Sequence, residues 1–141
     1  MLKNIPPLIS PELLKVLMEM GHGDEIVIGD GNFPAAAYAS RLIRLDGLHV
    51  CEILTALLKL FPLDRFEQNA FLMEKVAGDN AKTPIWESYK DIAEKGDSHF
   101  KGFGHIERFS FYDRAKKAYA IIATSEPSLY ANIILKKGVI E

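Results

Sequence analysis

Gly21-His22-Gly23 stands eight residues ahead of Asp30, and the short β-branched run Glu25-Ile26-Val27-Ile28 separates the two. An imidazole titrates near neutrality and can both donate and accept a proton. Two flanking glycines on a loop give the backbone freedom to aim it. The competing reading is a histidine that favours the negative end of the preceding helix. Asp30 follows the run at its carboxyl end, which is where ligands bind in open α/β sheets. A carboxylate there can hold ligand hydroxyls or orient an imidazole, and it can equally start an Asx turn.

A second group lies near the end of the chain. Tyr130 and Asn132 flank Ala131 just before the apolar run that starts at Ile133. In an extended segment both side chains point to one face. A phenol beside an amide offers donors, acceptors and an apolar plate, a combination suited to a polyhydroxylated ligand. Strand-edge packing plus a turn amide is the alternative. Arg108, at the start of an amphipathic stretch, presents several donors in fixed geometry or is simply solvated. Arg114, Lys136 and Lys137 read as solvated charge.

Other chemistries lack their residues. The phosphate fingerprint needs glycines that follow a strand and open a helix, whereas Gly21 and Gly23 close a helix and precede a strand. His22, His49, His99 and His105 form no HExxH-type ligand spacing, so no metal site is expected. No GxSxG elbow is present. Cys51 is the only cysteine, which rules out an intrachain disulfide and a thiolate zinc site and fits a reducing compartment. The net charge is −2 with both signs interspersed, so neither nucleic acid nor a membrane surface is an expected partner. MLKNIPPLISPELL is not a signal peptide, and no stretch approaches the ~20 apolar residues of a membrane span. A cytoplasmic protein is expected.

These residues need elements to position them. A length of 141 residues predicts a single domain over 1–141. Ser10-Pro11-Glu12 starts a helix, with Ser as cap and Pro in the first turn. Leu13, Leu14, Leu17 and Met20 form its apolar stripe, and Gly21 is expected to end it in a left-handed cap. Strands are expected at 25–28, 41–45, 71–76, 118–124 and 133–135, and helices at 50–60 and 84–93 and around Ile106, Phe109, Tyr112 and Ala115. Residues 95–104 read as a glycine-rich polar loop. The alternation predicts an α/β fold, Rossmann-like, with a mostly parallel or mixed sheet flanked by helices.

Taken together, several segments resemble the RbsD/FucU sugar mutarotase family. Met20-Gly21-His22-Gly23-Asp24-Glu25-Ile26-Val27, with Asp30 and Phe33-Pro34, is similar to its opening motif. Leu42-Ile43-Arg44 with Asp46-Gly47-Leu48 resembles the fucose branch. So do Glu107-Arg108-Phe109 through Phe111-Tyr112-Asp113-Arg114-Ala115, and Tyr130-Ala131-Asn132-Ile133 with Leu135-Lys136-Lys137-Gly138-Val139. The likeness spans almost the whole chain and is weakest over 82–104. It implies interconversion of the α and β anomers of L-fucose without a cofactor. His22 then corresponds to the proton donor, and Asp30, Arg108, Tyr130 and Asn132 to substrate-binding positions. Asn32 falls in a variable part of the first motif and is expected to tune specificity. The ribose pyranase branch tends to carry histidine where this chain has Arg108, which favours fucose. The alternatives are a D-ribose pyranase and a sugar-binding or regulatory module without catalysis. The resemblance also implies a homo-oligomer, such as a decameric ring, with sites near subunit interfaces.

One geometric expectation concerns the first pair. Extended chain rises ~3.3–3.6 Å per residue, so a straight strand would hold His22 and Asp30 roughly 20 Å or more apart. They would not form a dyad within one chain, and a neighbouring copy is expected to complete the pocket.

Overall fold

Ile26, Val27 and Ile28 are fully buried, and this sets β1 (Glu25–Gly29) in the middle of a six-stranded sheet. The computed structural model describes residues 1–141. Along the chain come α1 (Pro11–Glu19), β1, α2 (Ala35–Tyr38), β2 (Leu42–Leu45), α3 (Val50–Leu57), β3 (Ala70–Met73), α4 (Ile85–Gly96), β4 (Gly104–Ile106), α5 (Arg108–Lys117), β5 (Ala120–Thr124) and β6 (Ile133–Lys136). The strand order is β2-β5-β1-β6-β3-β4. The β2–β5, β5–β1 and β3–β4 pairs are parallel, and β6 runs antiparallel to both β1 and β3. The sheet is therefore mixed, with helices on both sides.

Period-two alternation divides the core. Ile26, Ile28, Ala120, Ile122, Ile133, Leu135, Ala70 and Leu72 face α1, α3 and α4 in the larger apolar cluster. Val27, Ile121, Ala123, Ile134, Phe71 and Met73 face α2 and α5 in the smaller one. Because both faces are covered, the strands read as continuous apolar runs. No helix is long and apolar enough to cross a membrane.

Several boundaries differ from expectation. The residue in the left-handed region is Gly23, at φ +87°, rather than Gly21. Met20 leaves α1 with extended backbone and a buried side chain, and the Asp24 carboxylate accepts from the Gly21 N–H at 2.8 Å. The tight turn thus falls on His22-Gly23. β3 ends at Met73 instead of residue 76, where the Glu74 N–H closes onto the Ile106 carbonyl. α4 runs on to Gly96, and β4 takes Gly104, the end of the expected loop, through Ile106, which was expected in the following helix. Arg114 is not merely solvated. It makes a bidentate pair with Glu25 at 2.8 and 2.6 Å and lies over the Phe71 ring. Lys136 is paired as well, with Glu67.

Candidate functional site

Beyond the carboxyl ends of β1 and β3, a cleft of about 240 Å³ opens beside the start of β6. Asp30, Asn32, Arg108, Tyr130 and Asn132 all line it, with Asp79 and Tyr112. Four of these, Asp30, Arg108, Tyr130 and Asn132, are the ligand-binding positions expected from sequence, and the fold gathers them from three separate segments. The cleft is smaller than the ~300–1,000 Å³ of drug-sized sites, a scale that suits a small ligand. A larger hollow of about 350 Å³ lies under the N-terminal segment, lined by residues such as Ile5, Pro6 and Leu14 with Ser10 as its only polar side chain. Size and chemistry point to different places: of these two, only the smaller cleft has convergent polar groups.

Each polar group in the cleft has a defined role left to offer. The Asp30 N–H donates to Asn132 Oδ1 at 2.7 Å, which fixes the amide and leaves its N–H donors for a ligand. The Asp30 carboxylate accepts from the Asn32 N–H at 2.9 Å. Burial pushes its pKa up, and the charge of Glu126 adds to the rise. Backbone N–H groups of Asn32, Ala131 and Phe33 act in the opposite direction. Arg108 is the first residue of α5, whose cap Glu107 accepts from the Ser110 N–H at 3.0 Å. That start fixes where the guanidinium leaves the backbone, and it lies over the Phe109 ring, 4.6 Å from its centroid. The Tyr130–Asn132 segment is not extended throughout, because Tyr130 has φ +53°. The two side chains meet in the cleft because the backbone turns at Tyr130, not because they share a strand face.

His22 lies at the opposite end of β1. Its Nε2 donates to Asp64 Oδ1 at 3.2 Å, and its ring packs 5.9 Å from the exposed Phe66 ring. Nε2 being engaged, a neutral imidazole presents Nδ1 as its free acceptor. The His22 side chain is 47% exposed and that of Asp64 only 2%. Burial pushes the Asp64 carboxyl up, but the Phe66 N–H, the hydrogen bond and charge of His22, and Lys136 together hold it below the ordinary value. A reachable imidazole backed by a buried carboxylate is the arrangement that carries protons.

Residues 136–138 position both members of that pair. The Gly23 N–H donates to the Lys137 carbonyl at 2.8 Å, and the Lys137 N–H donates to Asp24 O at 2.8 Å. On the other side, the Asp64 N–H donates to Lys136 O at 3.0 Å and the Gly138 N–H to Pro62 O at 2.8 Å. The His22 turn and the Asp64 segment thus hang on the same stretch of backbone.

Within one chain, then, the structure brings Asp30, Arg108, Tyr130 and Asn132 together and leaves His22 apart from them. Sequence reasoning missed Asp64, which simply closes the run Phe61-Pro62-Leu63 and belongs to no motif. It also missed Asp79 and Tyr112. The regular spacing of Phe109, Tyr112 and Ala115 marked Tyr112 as helical but not as a cleft residue.

The chain has named relatives and solved structural neighbours over nearly its whole length. Residues 3–140 match the RbsD / FucU transport protein family. The fucose mutarotase of Danio rerio is 47% identical over 145 residues, covering 99% of this chain and 94% of the relative. The crystal structure of the fucose mutarotase in complex with L-fucose from Streptococcus pneumoniae superimposes with a TM-score of 0.92. It is 50% identical and covers 99% of this chain and 100% of that one. The structure of Bacillus subtilis RbsD complexed with D-ribose, 22% identical with a TM-score of 0.77 over the whole of both chains, has the same fold. With its six-stranded mixed sheet and a match over nearly its entire length, the chain belongs to the RbsD/FucU family.

Proposed function

We propose that this protein is an L-fucose mutarotase, an isomerase that interconverts the α and β anomers of the free sugar. The observation that carries the reading is the convergence of Asp30, Arg108, Tyr130 and Asn132 on one small cleft in a chain about half identical to fucose mutarotases. The cleft offers a carboxylate acceptor, an amide donor, a guanidinium and aromatic surface, and pyranose rings present hydroxyls and an apolar face to match.

Anomerisation breaks the C1–ring oxygen bond while a proton leaves the anomeric hydroxyl and one arrives at the ring oxygen. The aldehyde forms, the C1–C2 bond rotates, and the ring recloses on the other face. In this reading His22 carries the proton. Nδ1 takes it from the anomeric hydroxyl and returns it to the ring oxygen, and Asp64 stabilises the imidazolium in between. Asp30, Arg108, Tyr130 and Asn132 hold the hydroxyls. His22 reaches the cleft from a neighbouring copy of the chain, a reading supported by its place at the far end of β1 and its half-exposed side chain. Saturation-transfer NMR between the anomers of L-fucose tests the function. Exchange well above the buffer rate is expected, faster than for D-ribose. Sugar binding with no acceleration would leave a binding module instead.

A further inference from the structure

Tyr130 is held in a conformation that it would not adopt on its own. Its φ of +53° lies in the left-handed region, which non-glycine residues seldom occupy. Three bonds from distant segments hold it. The Trp86 indole Nε1–H donates to the Tyr130 carbonyl at 2.7 Å, and the Val76 N–H donates to the phenol oxygen at 3.2 Å. The phenol O–H donates to Asp79 Oδ2, while Asp79 Oδ1 accepts from the Ala81 N–H at 2.8 Å. Asp79 itself lines the cleft.

A phenol oxygen has one proton to give and two lone pairs to accept with. Here Asp79 takes the proton and Val76 occupies one lone pair, so a single acceptor site remains. We infer that Asp79 is a positioning residue for ligand recognition: by taking the phenolic proton it makes Tyr130 an acceptor only, so this corner of the cleft receives a ligand hydroxyl as donor. The inference rests on reading the cleft as the sugar site. The charged groups facing the pair are Arg108, which acts on the phenol, and Lys75, which acts on Asp79 and lies 5.6 Å from the Trp86 ring centroid. The hydrogen bond to Asp79 raises the Tyr130 pKa, outweighing the Val76 N–H and Arg108.

The test has two arms. In the first, tyrosine Cζ resonances of the sugar-free protein are titrated with pH, and Tyr130 is assigned by its absence in Tyr130→Phe. Tyr130 ionises later than an ordinary tyrosine, and Asp79→Asn, which keeps an acceptor but removes the charge, brings its ionisation down. In the second, anomer exchange of L-fucose is followed against sugar concentration. Asp79→Ala raises KM about tenfold with kcat nearly unchanged, as loss of a charge-assisted hydrogen bond implies, and Asp79→Asn recovers most of that loss. In a Tyr130→Phe background Asp79→Ala has less than about a twofold further effect, since the partner is already gone. Tyr130 ionising like a free tyrosine would overturn the inference, as would Asp79→Ala costing as much without the phenol as with it. Wild-type protein that accelerates no sugar's exchange while Asp79→Asn still moves the Tyr130 ionisation would instead remove the sugar reading and leave the pairing in place.

Discussion

At the residue scale, two carboxylates of this chain are both buried and yet tuned in opposite directions. Asp64 accepts hydrogen bonds from the Phe66 N–H and the His22 imidazole and lies near Lys136, so its folded pKa lies below the ordinary value. Its contribution to stability is present above the unfolded value and is lost as pH falls through the folded one. Removing its charge leaves His22 without a partner for the protonated state. His22→Ala is expected to lower the anomer exchange kcat by about 10²–10⁴-fold, the usual worth of a general acid–base group. Asp64→Asn should fall in between, and an unchanged rate in either variant would remove the proton-carrying role assigned to the pair. Asp30 behaves in the opposite way, because burial dominates and raises its pKa. The folded state then binds more protons than the unfolded one, so stability declines as pH rises through the window between the unfolded and the raised folded value. Asp30→Asn abolishes that decline. Urea unfolding at pH 4 and pH 7 should show the variant gaining on the wild type at the higher pH, while its exchange rate drops. Stability bound up in a functional carboxylate is commonly exchanged for activity in this way.

At the scale of elements, a backbone stretch with no chemistry of its own determines the geometry of the His22–Asp64 pair. Gly138 is packed so closely that an added Cβ would lie 2.4 Å from Leu63 O and 2.9 Å from Asp64 Cα. Gly138→Ala must therefore push the Pro62–Asp64 strip away from the end of β6. A cost of roughly 1–3 kcal/mol in unfolding free energy is expected from the overpacking. The exchange rate should fall too, because Asp64 retreats from an unmoved His22. A stable, fully active Gly138→Ala would mean that the strip does not control the pair. This coupling also marks what the sequence could convey. The runs Ile26–Ile28, Ile121–Ala123 and Ile133–Leu135 declared their strands because each is apolar on both faces. The start of α1 was legible in Ser10, whose hydroxyl accepts from the Leu13 N–H. α2 is a single turn of Ala35–Tyr38 and β4 only Gly104–Ile106, too short for either to show a period. Asp64 meets His22 across 42 residues, and Asp79 meets Tyr130 across 51. No local pattern encodes such pairs: residue type and place in the chain mark the four cleft residues as candidates and likeness to a family gives them roles, whereas their partners emerge only from the fold.

At the scale of the whole molecule, the separation of His22 from the cleft is the feature with the largest consequence. In the proposed function one chain supplies two half-sites at opposite ends of β1, and they meet between copies. The contact this requires joins two different surfaces, so it is heterologous, and a heterologous contact closes into a ring when its rotation allows. The two surfaces carry apolar groups suited to such a contact. Phe66 is 63% exposed beside His22, and Leu129 is 59% exposed on the rim of the cleft. Complementation between inactive variants follows directly. His22→Ala lacks the proton carrier but keeps the cleft, and Arg108→Ala weakens the cleft but keeps the carrier. Unfolded together, mixed one to one and refolded, random assembly gives about a quarter of the sites an intact half from each parent, and exchange should return to about a quarter of the wild-type rate. If each chain instead bent His22 back into its own cleft, every site in the mixture would still lack one half, and mixing would restore nothing. Phe66→Glu in an otherwise wild-type chain tests the same contact from the surface side. Sedimentation should show smaller species and the exchange rate should fall with them, whereas a small but fully active particle would place the complete site within a single chain.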